Sequence, residues 1–517
     1  MKKKTALSLL VSAMLLMTGN AYADDPYTYT YTTDDGETSY TIYFLVEDGG
    51  AVITNKAGGT TSGLMSYSTS SIVIPETVKK DDTEYRVTSI DTYAFFYCIS
   101  VTSVDLSACT SLTSIDDYAF SMSSAITTVK LPASVKSIGA SAFNSCTAMT
   151  SINLGDCTNL TTLGTAAFSG CKSMASIDLP TALTEIPESL LYNCTTLTSV
   201  VIPDNVTSIG KYAFYSCTGL TSIDIPSGVT SIGEDVFYSC SSLEKVKIYA
   251  STVPTTIGEN VFGATKKDDS DALVIKVYVP PYSLASYESG WSTYSGHFRP
   301  FVDRAVSSAG AATLALPFQA TIPDGITAYT LSITSGHSAT ATAVSGTTLT
   351  KDTPVYISGS EATYEFLGTS TAAVTSQYVT DDDGNATSEA YNPTAYALVG
   401  VYADSYQYAP VGSYVLQNQD GTTAFYRVYD EDKVKVGQFK AYLVRESESD
   451  DDETENSSLS IIFADESETT GIERVDTTTD SPATGAIYNL QGVRMGDSTE
   501  CLPKGIYIRG GKKFVVK

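Results

Sequence analysis

Only two histidines occur in the 517 residues, His297 and His337. Histidine is the side chain best placed to move protons near neutral pH, and it is the commonest metal ligand. His297 stands in an aromatic stretch and His337 in a Ser/Gly-rich turn from Ser335 to Ser338, neither with a Cys or carboxylate at ligand spacing. A histidine-based triad or metal site therefore has almost no material. Asp381-Asp382-Asp383-Gly384-Asn385 has the look of a calcium loop, but an EF-type loop needs Gly at its sixth place and Glu at its twelfth. This chain has Ala386 and Asn392 there, so a surface turn accounts for the run better. Carboxylate pairs that could hydrolyse a glycoside need a cleft. We expect no catalytic residue, metal or cofactor.

Cysteine is the other reactive type. Six of the nine cysteines recur at one repeat position: Cys98, Cys146, Cys171, Cys194, Cys217 and Cys240. Stacked equivalents could lie within bridging distance, yet pairing would distort alternate steps of a regular ladder. A column of small buried thiols is the better reading. Cys109 and Cys157 fall in the loops of two longer repeats and take a similar packing role, while Cys501 has no counterpart.

The elements that position these groups follow from a second recurrence. Phe95, Phe120, Phe143, Phe168, Phe214, Phe237 and Phe262 return every 23 or 25 residues, with Leu191 keeping register where the aromatic is missing. Such a period is the mark of a solenoid. In LTSVVIPDNVTSIGKYAFYSC, residues 197 to 217, Leu197, Val200 and Ile202 make a first short strand closed by Pro203. Val206 and Ile209 mark a second strand, Gly210 a turn, and Ala213, Phe214 and Cys217 one apolar turn of helix. No unit can bury this surface alone. Stacking at about 4.8 Å per step makes eight units a rod roughly 40 Å long.

These units resemble the bacterial leucine-rich repeats of the BspA type, whose pattern is SLTSIxIPxxVTSIGxxAFxxC. CTGLTSIDIPSGVTSIGEDVFYSC (217 to 240) and SVKSIGASAFNSC (134 to 146) carry the match, which covers roughly residues 70 to 265. The resemblance implies a secreted or surface protein that binds other macromolecules without catalysis.

Two sets of residues are candidates for that binding. In the first strand of each unit the residue between two inward apolars points outward. Up the stack this column reads Asp105, Lys130, Asn153, Asp178, Val201, Asp224 and Lys247. Beside it run Thr102, Thr127, Thr150, Thr198 and Thr221, small hydroxyls that are also good exposed strand residues. The second set is Tyr192, Tyr215 and Tyr238, one place after the phenylalanine position in three consecutive units. Their rings could lie against sugars or pack on one another as a ridge.

Residues 1–23 read as a secretory signal, with Lys2 to Lys4, an apolar core and Ala21-Tyr22-Ala23 before Asp24. No later apolar run approaches the ~20 residues of a membrane span. Losing the three leader lysines takes the net charge from −27 to −30, with 28 basic against 58 acidic residues. Nucleic acid and anionic bilayers would be repelled.

The expected fold is a leucine-rich repeat solenoid of about eight units, short strands plus short helical turns, followed by an antiparallel β-sandwich-like module and a small β tail. Its parts are a β-rich N-terminal cap (24–75), the repeats (76–265), and a C-terminal repeat cap (266–302). In that cap Leu284, Tyr287, Trp291 and Tyr294 stand at helical spacing. The β module (303–445) has strands at Thr313 to Phe318, Thr353 to Ile357, Ala397 to Tyr402, Tyr414 to Gln417 and Ala424 to Tyr429. Asp420-Gly421 signals a hairpin between the last two. ATLALPF, TPVYISG and VGSYVLQN look like a β module that follows such repeats in surface proteins. An acidic and Ser/Thr-rich segment (446–484) reads as a linker that could still hold a strand at Leu459 to Ala464. The tail (485–517) resembles a shortened C-terminal sorting domain, carried by Ile487 to Gly492, Arg494, Leu502, Lys504 to Tyr507 and Lys512 to Lys517. The function that follows is non-catalytic binding by a monomer of an extracellular protein partner, as in adhesion to host matrix proteins or other cells. Glycan capture for nutrient uptake is the alternative.

Overall fold

The computed structural model describes residues 26–32, 39–55, 69–265 and 274–370 apart from 307, 309, 336, 337 and 352, and beyond 370 the strands alone. The leader, His337, the Asp381 turn and Cys501 lie outside the described residues. Two compact units divide the chain at Arg299/Pro300.

In the first unit the repeat becomes a solenoid whose every coil presents three segments. The first sheet, hydrogen-bonded in three stretches that break after Ile152 and after Val201, contains Ser71–Val73, Ser103–Asp105, Thr128–Lys130, Ser151–Ile152, Ser176–Asp178, Ser199–Val201, Ser222–Ile225 and Lys245–Ile248. The second contains Thr83–Ile90, Ser114–Ile115, Ser137–Ile138, Thr162–Leu163, Glu185–Ile186, Ser208–Ile209, Ser231–Ile232 and Thr256–Ile257. All pairings between coils are parallel and in register, as Ser137 with Ser114 and with Thr162. A period-2 pattern puts Val104, Val129, Ile152, Ile177, Val200, Ile223 and Val246 inside.

The third segment, where the repeat suggested one helical turn, is a run of turns tied to the next coil by a ladder of its own. Tyr212, Phe214 and Ser216 donate backbone N–H groups to the carbonyls of Glu234, Val236 and Tyr238. Here the alternate N–H groups point the same way because the backbone alternates between right- and left-handed turns. Tyr212 and Ser216 accordingly have φ of 60° and 57°, and the same two places recur, as Ser141 with Ser145 and Ser189 with Asn193. A side chain held there costs of order 1 kcal/mol, which three inter-coil hydrogen bonds per coil offset.

The core is a stack of the recurring aromatics. Phe95, Phe120, Phe143 and Phe168 lie with centroids 4.9, 5.0 and 5.3 Å apart, their planes within 5° of parallel. Phe214, Phe237 and Phe262 continue the stack at 5.4 and 5.8 Å, and buried Leu191 fills the interruption. The thiols follow three residues behind. All eight described cysteines are free and buried. Cys146, Cys194, Cys217 and Cys240 each donate from Sγ to the carbonyl of Phe120, Phe168, Leu191 and Phe214, one coil back, at 3.1–3.2 Å.

The sheets do not run unbroken. A glycine follows the second strand in most coils because a Cβ would strike the coil before it; at Gly233 it would stand 2.5 Å from the Lys211 backbone N. That glycine also donates the closing ladder bond, as Gly210 N–H does to Ile186 O at 2.7 Å. Pro187 occupies the same place and has no N–H to donate. The second sheet accordingly breaks between Thr162–Leu163 and Glu185–Ile186.

Both ends of the array carry added structure. Strands β1 (Tyr27–Thr32), β2 (Ser39–Glu47) and β3 (Gly50–Thr54) form antiparallel hairpins, and β3 pairs in parallel with Thr83–Ile90. At the far end lie a helix, Leu284–Gly290, and two 3-10 turns, Pro281–Ser283 and Ser292–Tyr294. They bury Leu284, Tyr287, Trp291 and Tyr294. The Tyr294 ring meets Phe262 edge-on at 5.0 Å, ending the aromatic stack. No helix among the described residues is long and apolar enough to cross a membrane.

In the second unit Ala311–Leu314, Val355–Gly359, Ile326–Ser335 and Ser338–Ala343 lie side by side in a nine-stranded sheet. Its core includes Leu314, Leu316, Phe318, Ile357 and Phe366. Strands Tyr414–Gln419 and Thr422–Arg427 pair antiparallel up to Gln419 with Thr422, and the Asp420-Gly421 hairpin signal lies outside the described residues. The architecture is the antiparallel sandwich-like module, with one parallel pair, Ser338–Ala343 beside Ser458–Phe463. That last strand falls, one residue earlier, where the acidic segment 446–484 could still hold one, at Leu459 to Ala464. Its β-branched and aromatic run, SLSIIF, inserts between Ser338–Ala343 and Thr422–Arg427. The tail strands Ile487–Asn489, Arg494–Gly496, Gly505–Arg509 and Lys512–Val516 form a separate four-stranded antiparallel sheet.

Candidate functional site

The outward column of the first sheet is assembled as register requires: Asp105 pairs with Lys130, Asp178 with Val201 and Asp224 with Lys247. Its members differ in what they leave free. Lys130 Nζ lies 3.3 Å from Asp105 Oδ2, and Asp105 Oδ1 also accepts from the Ser107 hydroxyl and N–H. Partial burial pushes the Asp105 carboxyl up, but these donors outweigh it and hold it below the usual aspartate value.

Asn153 bends out of the strand, at φ −87° and ψ 54°. Its Oδ1 accepts from Leu131 N–H at 2.8 Å, and its Nδ2 donates to Leu131 O at 3.1 Å and Asp156 Oδ2 at 3.2 Å. In neighbouring coils a backbone carbonyl takes that place, as Lys130 O does for Leu106 N–H. The side-chain amide thus stands in for a missing rung, and the residue is tied to the fold.

Lys247 departs from the expected outward position. It is only 2% exposed, because its ammonium folds over the Tyr249 ring at 4.9 Å and lies 3.8 Å from Asp224 Oδ2. The flanking threonines are also engaged: Thr127 and Thr198 hydroxyls donate to Thr102 O and Ala175 O, one coil back. The exposed members of the column are Lys130, Asp178, Val201 and Asp224, of which Lys130 is tied to Asp105. Sequence reasoning placed Val201 in the column but passed over it as a site residue, although an aliphatic among charges was the signal.

The tyrosine ridge also forms. Tyr192, Tyr215 and Tyr238 stack at 4.8 and 5.2 Å with planes 6° and 10° from parallel, and Tyr212 meets Tyr215 edge-on at 5.7 Å. Burial, then the neighbouring Tyr192 and Tyr238, raise the Tyr215 hydroxyl pKa. Beyond Tyr238 lies Gly263, where a Cβ would stand 2.6 Å from the Tyr238 ring. The faces between the three rings, which a sugar would otherwise stack on, are therefore covered, the far side of Tyr238 meets Gly263, and the ridge presents mainly edges and hydroxyls. His297, half-buried, is 3.2 Å through Nδ1 from Ile275 O. A shallow depression of about 450 Å³ lies elsewhere, on the second sheet, floored by Gly139 and Gly164 beside Asp116 and Asp117.

A coiled stack of parallel strands with outward side chains in rows defines a leucine-rich repeat array. Residues 65–194 and 156–267 match the family model described as BspA type leucine rich repeat region, in 6 copies, and the repeat array is of that type. Among similar solved structures is a leucine rich cell surface protein from Faecalibacterium prausnitzii, 23% identical, covering 50% of this chain and 72% of that one at a TM-score of 0.37. A leucine rich repeat protein of T. pallidum is 24% identical over 42% of this chain and 88% of its own, with a TM-score of 0.33. One from Bacteroides ovatus is 23% identical over 50% and 71%, with a TM-score of 0.27. No curated protein matches the chain.

Proposed function

We propose that this is an exported, non-catalytic binding protein that holds an extracellular protein partner against its first sheet, as in adhesion to matrix proteins or to other cells. In this reading residues 1–23 direct export, the repeats bind as a monomer, and the sorting-like tail serves delivery to the surface. One observation carries it: outward side chains stand in rows at coil spacing on parallel strands in register, with Asp178, Val201 and Asp224 exposed. Such an array is pre-organised, so a partner gains many weak contacts with little ordering cost on this side. Glycan capture by the tyrosines is the second reading, favoured by their regular spacing and opposed by the mutual stacking that covers their inner faces.

The test is the full mature chain passed over immobilised matrix glycoproteins and polysaccharides at physiological salt. The expected outcome is retention on proteins. Retention on polysaccharides alone, abolished by Tyr215→Ala, would replace adhesion with glycan capture.

A further inference from the structure

We infer that the middle of the first sheet is a docking face for a cationic, extended segment of a partner protein; this names the partner chemistry for the binding reading above and rests on it.

The outward column carries an ion pair towards each end. Asp105 has Lys130 at 3.3 Å. Asp224 has Lys247 at 3.8 Å and the Tyr249 hydroxyl at 3.3 Å, yet its side chain stays 53% exposed. Between these pairs Asp178 is exposed, and its carboxylate has no hydrogen bond or ion pair among the described residues. Its register partner Val201 is 75% exposed, the highest value of any large hydrophobic residue described. Exposed Asp204, three residues further along, adds a further negative charge near this patch.

An aliphatic side chain between two carboxylates is complementary to an apolar residue between two cations. The spacing is specific as well. Coils repeat at about 4.8 Å, so Asp178 and Asp224, two coils apart, are about 10 Å apart. A segment in the polyproline conformation returns to the same side every three residues, about 9.3 Å on. Cations three residues apart on such a segment fall on the two aspartates, and the residues between them cover Val201. A net charge of −27 steers such a segment inward and repels an acidic one.

The test uses the full chain and two 15-residue proline-rich peptides, one with Lys at every third position and one with Glu in its place. The Lys peptide is expected to bind, more weakly as salt rises from 0.05 to 0.3 M, and the Glu peptide not to bind. Asp178→Asn should weaken binding about threefold, in the range for one exposed charge, and Val201→Ser about tenfold through lost burial. Glu185→Gln, on the second sheet, should leave it unchanged. Unchanged melting of each variant establishes that the face alone was altered. No binding of the Lys peptide, or an equal loss in Glu185→Gln, overturns the inference. On the matrix-protein array, wild-type retention that survives Asp178→Asn with Val201→Ser overturns the docking face and leaves the binding function standing. No retention of the wild type on the array or the peptides overturns both.

Discussion

At the scale of residues, the cysteine position is defined by hydrogen-bond donation more than by sulfur. Two coils lack cysteine there, and they carry Ser123 and Thr265. Ser123 Oγ donates to Phe95 O at 2.6 Å, the bond that Cys146 Sγ makes to Phe120 O. Thr265 Oγ1 donates to Phe262 O at 2.9 Å. What the position selects is a small, fully buried donor. Burial also raises the thiol pKa values of Cys146, Cys194 and Cys240 from 9.0 to about 12. Below about pH 9 both folded and unfolded chains keep these protons. Above it the unfolded chain releases them first, so stability is lost as pH rises from 9 towards 12. The urea midpoint should therefore fall between pH 8 and 10.5, less steeply in Cys194→Ser. In a Cys501→Ser background the remaining native thiols should stay unreactive to a thiol-specific chromophore at pH 8 until the chain unfolds, and rapid labelling of that native protein would refute the buried column.

At the scale of elements, the glycine column decides how closely coils approach. Gly233→Ala would push a methyl into the Lys211 backbone, and we predict a loss of about 2–3 kcal/mol, the range for overpacking against atoms that cannot yield. Gly228 meets only ordinary contacts, at 3.4 Å from Val206 O, so Gly228→Ala should stay within about 1 kcal/mol of wild type. Urea titrations of the pair check this, and equal losses would show that the close approach is not what selects glycine. The turn segment gives a related lesson. AFxxC predicts an apolar turn, but a left-handed residue at each end of the ladder, such as Tyr212 and Ser216, has no distinctive side chain. Gly170 alone marks the position openly.

At the scale of the whole molecule, each coil touches only its neighbours, so stability is a chain of interfaces. Phe143 lies between Phe120 and Phe168 at 5.0 and 5.3 Å and takes part in two of them. Phe143→Ala should cost about 3–5 kcal/mol. Hydrogen exchange should then quicken first in the coils around residues 118–170, whereas uniform acceleration over all coils would argue for one cooperative block. The break at Pro187 is a second place where protection should be low.

The period, the aromatic stack, the thiol column and the end cap were legible in the sequence because each depends on an inward-facing residue type recurring at one spacing. Burial selects such residues strongly and in phase. The outward column was legible as positions but not as roles. Whether Lys130 answers Asp105, whether Asn153 replaces a backbone rung, and whether Lys247 folds over Tyr249 all depend on what stands one coil away. Similarly, the tyrosine spacing predicted a ridge, and only the stacked geometry showed that the faces between its rings are closed. Strand Ser458–Phe463 was legible as an apolar run beside its acidic flank, but its partner was not, because pairing with Ser338–Ala343 across 122 residues leaves no local pattern. Local periodicity determined the repeat and its register; contacts between coils and between distant strands decided which surface groups remain free to bind.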